Sequence, residues 1–288
     1  MVWAFFFTGC KGGVFNDNEK RGPGHGWEDT QTMKNLKKEF AGLFYSMSVT
    51  RGRAEVWRDI VFLWAAAINN RVNYKQKVED AYLAIIQKYT RDEQERIAEM
   101  LAIVAADMAR DPEQDFLGGF YMAEQLGNPR RGQYFTPYDV ADMMSRITLG
   151  TAGAEIKRKG YITVNDPACG SGVMLFAGAN CLRRQKIGVE SNVLFVGQDI
   201  ETGIGLMAYV QLSLAGCPGY VVIGDSLSEP LTGNVLKAPD NAWVTPAYHA
   251  FIFKHVLGGT DYVDRIRPGQ YSRAECCEAG SIDAGVRG

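Results

Sequence analysis

Residues 161–172 read Tyr-Ile-Thr-Val-Asn-Asp-Pro-Ala-Cys-Gly-Ser-Gly. The run Tyr161 to Val164 is short and β-branched, and the string from Asn165 to Gly172 places a proline and two glycines where a strand must stop and a helix begin. Glycines at such a turn let the backbone approach a ligand, and the free N–H groups at the start of the next helix point toward it. In an open α/β sheet this is where a cofactor sits. A glycine pair after a strand also fits an ordinary tight turn; the whole string is more specific.

Working downstream, Val193 to Val196 and Tyr220 to Ile223 are two further β-branched runs, separated from the first and from each other by helix-like stretches at 172–185 and 201–215. This alternation predicts a βαβαβ unit with a parallel sheet and right-handed crossovers. An acid follows each later strand. Asp199 can accept hydrogen bonds from ribose hydroxyls, and Asp225 from an exocyclic amine such as that of adenine. Either alone also fits as a helix cap.

Working upstream, Gly132 to Pro137 (GQYFTP) precedes a helix that Thr136 can cap, with Pro137 in its first turn. Tyr134 and Phe135 in this loop can supply an apolar wall for a nucleoside. Before it the pattern is helical. Leu36, Phe40, Leu43, Phe44 and Met47 mark one face, and Val56 to Ile68 is apolar nearly all round, predicting a central helix. Val78, Tyr82, Ile85, Ile86 and Tyr89 form a one-sided stripe, predicting a peripheral one. Thr90 with Glu93 reads as a capping box for a helix that turns Ile97, Leu101, Val104 and Met108 inward and stops at Asp111-Pro112. A short helix is expected over Asp115 to Leu126. Residues 1–32 lack any sustained period and read as an unstructured extension. The expected organisation is that extension, a helical region over 33–128, an α/β domain over 129–240 and a divergent or truncated segment over 241–288, whose end from Cys276 is expected to fray.

The bulk numbers bound the function without choosing it. With 288 residues, 46% of them hydrophobic, the chain can bury a sizeable core. A formal net charge of −2 gives no overall cationic field, so contact with nucleic acid needs a local patch or a partner. The six cysteines show no disulfide framework and no zinc-ligand spacing, so no metal is expected. The apolar run Val2 to Phe7 is too short and uncharged for a signal peptide, and no stretch approaches the ~20 residues of a membrane span, so a cytoplasmic location is expected.

In order along the chain, GQYFTP (132–137), DPACGSG (166–172), VGQD (196–199) and GDSL (224–227) resemble the N6-adenine DNA methylase family, which includes the modification subunits of type I restriction systems. The resemblance covers roughly residues 115–230. It implies a Rossmann-like α/β sheet behind a helical region, S-adenosylmethionine as methyl donor, and DNA as substrate with a specificity or restriction subunit as further partner. Carried over position by position, Gln133, Tyr134, Phe135, Thr136 and Pro137, with Asp166, Pro167, Ala168, Gly170, Ser171 and Gly172, would hold the methionine moiety. Asp199 would hold the ribose, and Asp225 the adenine of the cofactor.

The sequence departs from that family at one place. Its members carry Asn-Pro-Pro-aromatic about 20 residues beyond the position of Asp225, where an amide oxygen and a carbonyl accept from the target amine and the ring stacks on a flipped base. The nearest string here is Thr245-Pro246-Ala247-Tyr248, which makes Thr245, Pro246 and Tyr248 the catalytic candidates, with a hydroxyl in place of the amide. The 63 residues after Asp225 are too few for four more βα units of ~30 residues, so a truncated sheet is expected. Two readings stand. One is a DNA adenine-N6 methyltransferase of a restriction-modification-like system. The other is a non-catalytic S-adenosylmethionine-binding subunit that needs a partner to complete its site.

Overall fold

A computed structural model of the protein describes residues 26–49, 51–127 and 135–256, with side chains from Leu36 onward. The expectations for Val2 to Phe7, for Gln133 and Tyr134, and for the chain end from Cys276 lie outside these residues.

Five helices come first: α1 (Gly26–Met47), α2 (Arg53–Val72), α3 (Gln76–Ile86), α4 (Arg91–Arg110) and α5 (Phe116–Ala123). Helix α1 begins inside the stretch expected to be unstructured. From Trp27 to Asn35 the sequence holds neither glycine nor proline, so nothing stops the helix from running upstream of its first periodic residue. Helix α2 is central, as its all-round apolar sequence requires, and buries Trp57, Ile60, Val61 and Trp64. Helix α3 has no fully buried residue and lies at the periphery. The capping box of α4 is present: the Thr90 hydroxyl accepts from Glu93 N at 3.3 Å, and the Glu93 carboxylate accepts from Thr90 N at 2.8 Å. Phe40, Phe44, Trp57, Phe116 and Phe120 meet edge to face or stacked, and this aromatic cluster joins α1, α2 and α5.

Helices α6 (Tyr138–Thr148) and α7 (Ala152–Lys159) lead into β1 (Ile162–Asp166). Then follow α8 (Val173–Arg184), a single turn α9 (Val189–Asn192), β2 (Val193–Asp199), α10 (Thr202–Leu214), β3 (Gly219–Ile223), β4 (Trp243–Val244) and α11 (Tyr248–Val256). Strands β1, β2 and β3 pair in parallel in that order, and β4 adds antiparallel to β3. Strands that advance in one direction with crossovers of one hand carry their helices on one face, and α8 and α10 do pack against each other. The result is a Rossmann-like α/β sheet behind a helical region.

Alternation along the strands sorts the side chains. Val193, Phe195 and Val221 join the core that α8, α10 and the N-terminal helices share. Leu194, Val196, Tyr220 and Val222 are buried on the opposite face, where Tyr248 of α11 meets Tyr220 edge to face. One core cluster therefore runs from Phe40 to Val221, and the boundary expected at 128/129 divides two patterns of secondary structure rather than two cores. The described residues up to Phe251 form one compact unit; of the second, Ile252–Gly288, only the end of α11 is described. No described helix is long and apolar enough to cross a membrane.

Candidate functional site

The carboxyl ends of β1, β2 and β3 lie side by side at the edge where an open α/β sheet forms its ligand crevice, and Asp199 stitches them together. Its Oδ2 accepts from Gly170 N at 2.9 Å, in the turn after β1. Its Oδ1 accepts from Glu201 N, and its backbone carbonyl from Gly224 N, both at 2.9 Å. The turn is tied to β2 a second time by Cys169 N donating to Gln198 O at 2.9 Å. Asp166 bends over its own turn, Oδ1 accepting from Ala168 N at 3.1 Å. Asp225 does the same after β3 with Leu227 N at 2.9 Å.

Within the turn, Pro167 and Ala168 face solvent, whereas Cys169, Ser171 and Gly172 are buried beneath. Gly170 has φ +56° and Gly172 φ +94°, a left-handed backbone that glycine adopts without penalty. A Cβ on Gly172 would also stand 3.0 Å from the Ala208 Cβ of α10, so the glycine allows a close approach of turn and helix. Two large apolar side chains project beside the carboxylates: Ile200 is 70% exposed and Leu227 91% exposed.

Burial raises the Asp199 carboxyl above the ordinary carboxylate value, against the lowering effect of the two N–H donors it accepts from. Burial likewise raises Asp166; the Ala168 N–H opposes this and the nearby Asp199 charge adds to it. Asp225 is lowered, first by the Leu227 N–H and then by the Ser228 hydroxyl. Burial, then the charges of Asp199 and Asp166, hold the Cys169 thiol neutral, far above the usual range.

From the upstream loop, Phe135 reaches this turn. Its ring stacks on Tyr121 at 5.5 Å, and a Cβ on Gly170 would lie 3.4 Å from it. Thr136 does not cap α6; the N-cap is Pro137, whose φ −58° and ψ 144° start the helix one residue later than expected. Both stand in the half-buried or exposed connection after Phe135.

The structure does not bring Thr245, Pro246 and Tyr248 to the crevice. Because β4 returns antiparallel, Thr245 lies beside Gly219, the first residue of β3, roughly 13 Å from the strand's far end at ~3.3 Å per residue. The buried Thr245 hydroxyl accepts from Gly219 N at 2.9 Å and donates to Cys217 O at 2.8 Å. The Tyr248 hydroxyl donates to Leu236 O at 2.6 Å and accepts from Ala238 N at 2.9 Å. Both are structural bonds.

Sequence reasoning missed Asp115 and Gln211, which stand under the turn. The Ser171 hydroxyl donates to Asp115 Oδ2, and Gln211 Nε2 donates to Ser171 O at 3.0 Å. The signal was present for Gln211, since an amide inside the apolar run of α10 must find buried partners.

Residues 116–249 match the family model described as N-6 DNA methylase. No curated protein sequence matches the chain. Among solved structures it is similar to a protein from Listeria monocytogenes described as a class I S-adenosylmethionine-dependent methyltransferase. The two share 15% identity at a TM-score of 0.41, over 72% of this chain and 57% of that one. The chain thus spans little more than half the length of that protein.

Proposed function

We propose, on the premise that residues 116–249 belong to the N-6 DNA methylase family, that this chain holds S-adenosylmethionine at the carboxyl ends of β1, β2 and β3 and serves methyl transfer to adenine N6 in DNA. The observation that carries the reading is the position of Asp199, whose carboxylate ties the glycine turn after β1 to the end of β2 and whose backbone carbonyl accepts from Gly224 N after β3.

The residues fit such a group. A carboxylate offers about four lone-pair sites, so Asp199 can hold ribose hydroxyls while keeping both of its backbone donors. Ile200, exposed beside it, offers an apolar surface for the adenine ring, and Asp225 an acceptor for its amine. Asp166, Pro167, Ala168 and Gly170 present the turn to the methionine moiety, and Phe135 closes over Gly170 to limit water. Ser171 and Gly172 act from below. When bound, S-adenosylmethionine supplies an activated methyl group. With a net charge of −2, the chain would rely on a specificity or restriction subunit to read DNA. Calorimetry of the full chain should show saturable S-adenosylmethionine binding; no heat at millimolar cofactor would refute the pocket.

A second reading, a donor-binding subunit that lacks its own acceptor site, is favoured by the place of Thr245 and Tyr248 at the far end of β3. The two readings share the donor pocket and differ in turnover alone.

A further inference from the structure

We infer that Asp115 and Gln211 are positioning residues for the glycine turn, acting through Ser171. The inference rests on the donor-binding reading above. Ser171 stands between two glycines with positive φ, and it alone of the three carries a side chain. Glycine on either side leaves the backbone free to leave the shape that binds a ligand, so whatever holds Ser171 holds the turn.

Ser171 is gripped at its hydroxyl and at its carbonyl. Its hydroxyl donates to Asp115 Oδ2, and its carbonyl accepts from Gln211 Nε2 at 3.0 Å. The two holders are themselves joined, Gln211 Nε2 donating to Asp115 Oδ1 at 2.9 Å. Each is also anchored to the start of α5: Asp115 Oδ1 accepts from Gly118 N at 2.9 Å, and Gln211 Oε1 from Leu117 N at 3.0 Å. Glycine at 118 is required for the arrangement, because a Cβ there would overlap both Asp115 Oδ2 and Ser171 Oγ. Helix α5, the turn and α10 therefore meet in one bonded cluster, with Gln211 fully buried and Ser171 1% exposed. A turn fixed before the ligand arrives loses less freedom on binding, so the cluster serves affinity.

The test is a double-mutant cycle on S-adenosylmethionine affinity in the full chain, by calorimetry, with thermal melts of every variant alongside. Ser171→Ala and Asp115→Asn should each weaken binding about tenfold, the loss of a hydrogen bond to a charged group. The double variant should bind no more weakly than the worse single one, because Asp115 acts through Ser171. A purely structural role would lower melting temperatures without this coupling. Additive losses of about a hundredfold, or unchanged affinity in either single variant, would overturn the inference. Should Asp115→Asn fail to fold, Gln211→Glu takes its place: it loses the donor to the Ser171 carbonyl, which Ser171→Ala keeps, so it should weaken binding about tenfold by itself and add to the loss in Ser171→Ala, and an unchanged affinity would overturn the inference. A wild-type chain that does not bind overturns the donor site and this inference together; a binding wild type with unaffected variants overturns this inference alone.

Discussion

Asp199 clamps the backbone at the strand ends and, in the proposed site, also holds the ligand; the two roles differ in the sign of their pH dependence, which makes them separable by titration. As a ligand it must be ionised to accept from hydroxyls on both oxygens. Its raised pKa therefore predicts that S-adenosylmethionine affinity falls as pH drops through a window just above the ordinary carboxylate value of about 4. Asp166, raised too, steepens the fall. Folding responds the other way: a carboxyl raised in the folded state opposes folding above its raised pKa, and that opposition fades as pH falls toward the unfolded value. Carboxyls lowered by folding, such as Glu93 and Asp142, lose their contribution only below the ordinary range. Binding should thus be lost before the fold. Asp199→Ala should cost roughly 1–3 kcal/mol of affinity and flatten much of the profile, and binding titrations from about pH 8 to about pH 4 check both. An unchanged affinity would leave Asp199 as a backbone clamp.

At the scale of the element, the three parallel strands were legible and the fourth was not. Strands β1 to β3 announce themselves as β-branched runs ending in turn chemistry, and the observed ranges differ from the expected ones by one to three residues at an end. Strand β4 has two residues, too short for any period, and nothing between Gly224 and Ala242 tells the direction in which the chain returns. Reading Thr245 to Tyr248 by distance along the chain put them near Asp225; the antiparallel return puts them at the other end of β3. This gives Thr245 a testable structural role. Thr245→Val keeps the shape but leaves Gly219 N and Cys217 O unpaired in a buried place, which should cost roughly 1–3 kcal/mol. The melting temperature should fall by several degrees while S-adenosylmethionine affinity stays unchanged. Weaker binding by the folded variant would return Thr245 to the site.

At the scale of the molecule, what was legible is the set of strand ends to which we assign the donor. A strand end is marked locally by glycine, proline and acid. The support beneath it, Asp115 and Gln211 on Ser171, joins positions nearly a hundred residues apart, and pairing of that kind leaves no local trace. The acceptor half has no Asn-Pro-Pro-aromatic string in the sequence, and its nearest substitute lies roughly 13 Å from the crevice. Much of the rate of such a transfer comes from holding donor and acceptor in line, worth effective molarities of ~10⁵ M or more. A chain that fixes the donor alone should therefore bind S-adenosylmethionine yet methylate DNA at a rate lower by several powers of ten than a completed site, until a partner subunit orients the adenine. Transfer of labelled methyl from the cofactor to unmethylated genomic DNA, with the purified chain alone and then with the products of neighbouring genes, measures this. Activity that appears only with a partner and vanishes in Asp166→Ala supports a shared site. Robust transfer by the chain alone, lost in both Asp166→Ala and Tyr248→Ala, would show that the segment from Thr245 moves to the crevice when DNA binds, and the division between donor and acceptor halves would fall.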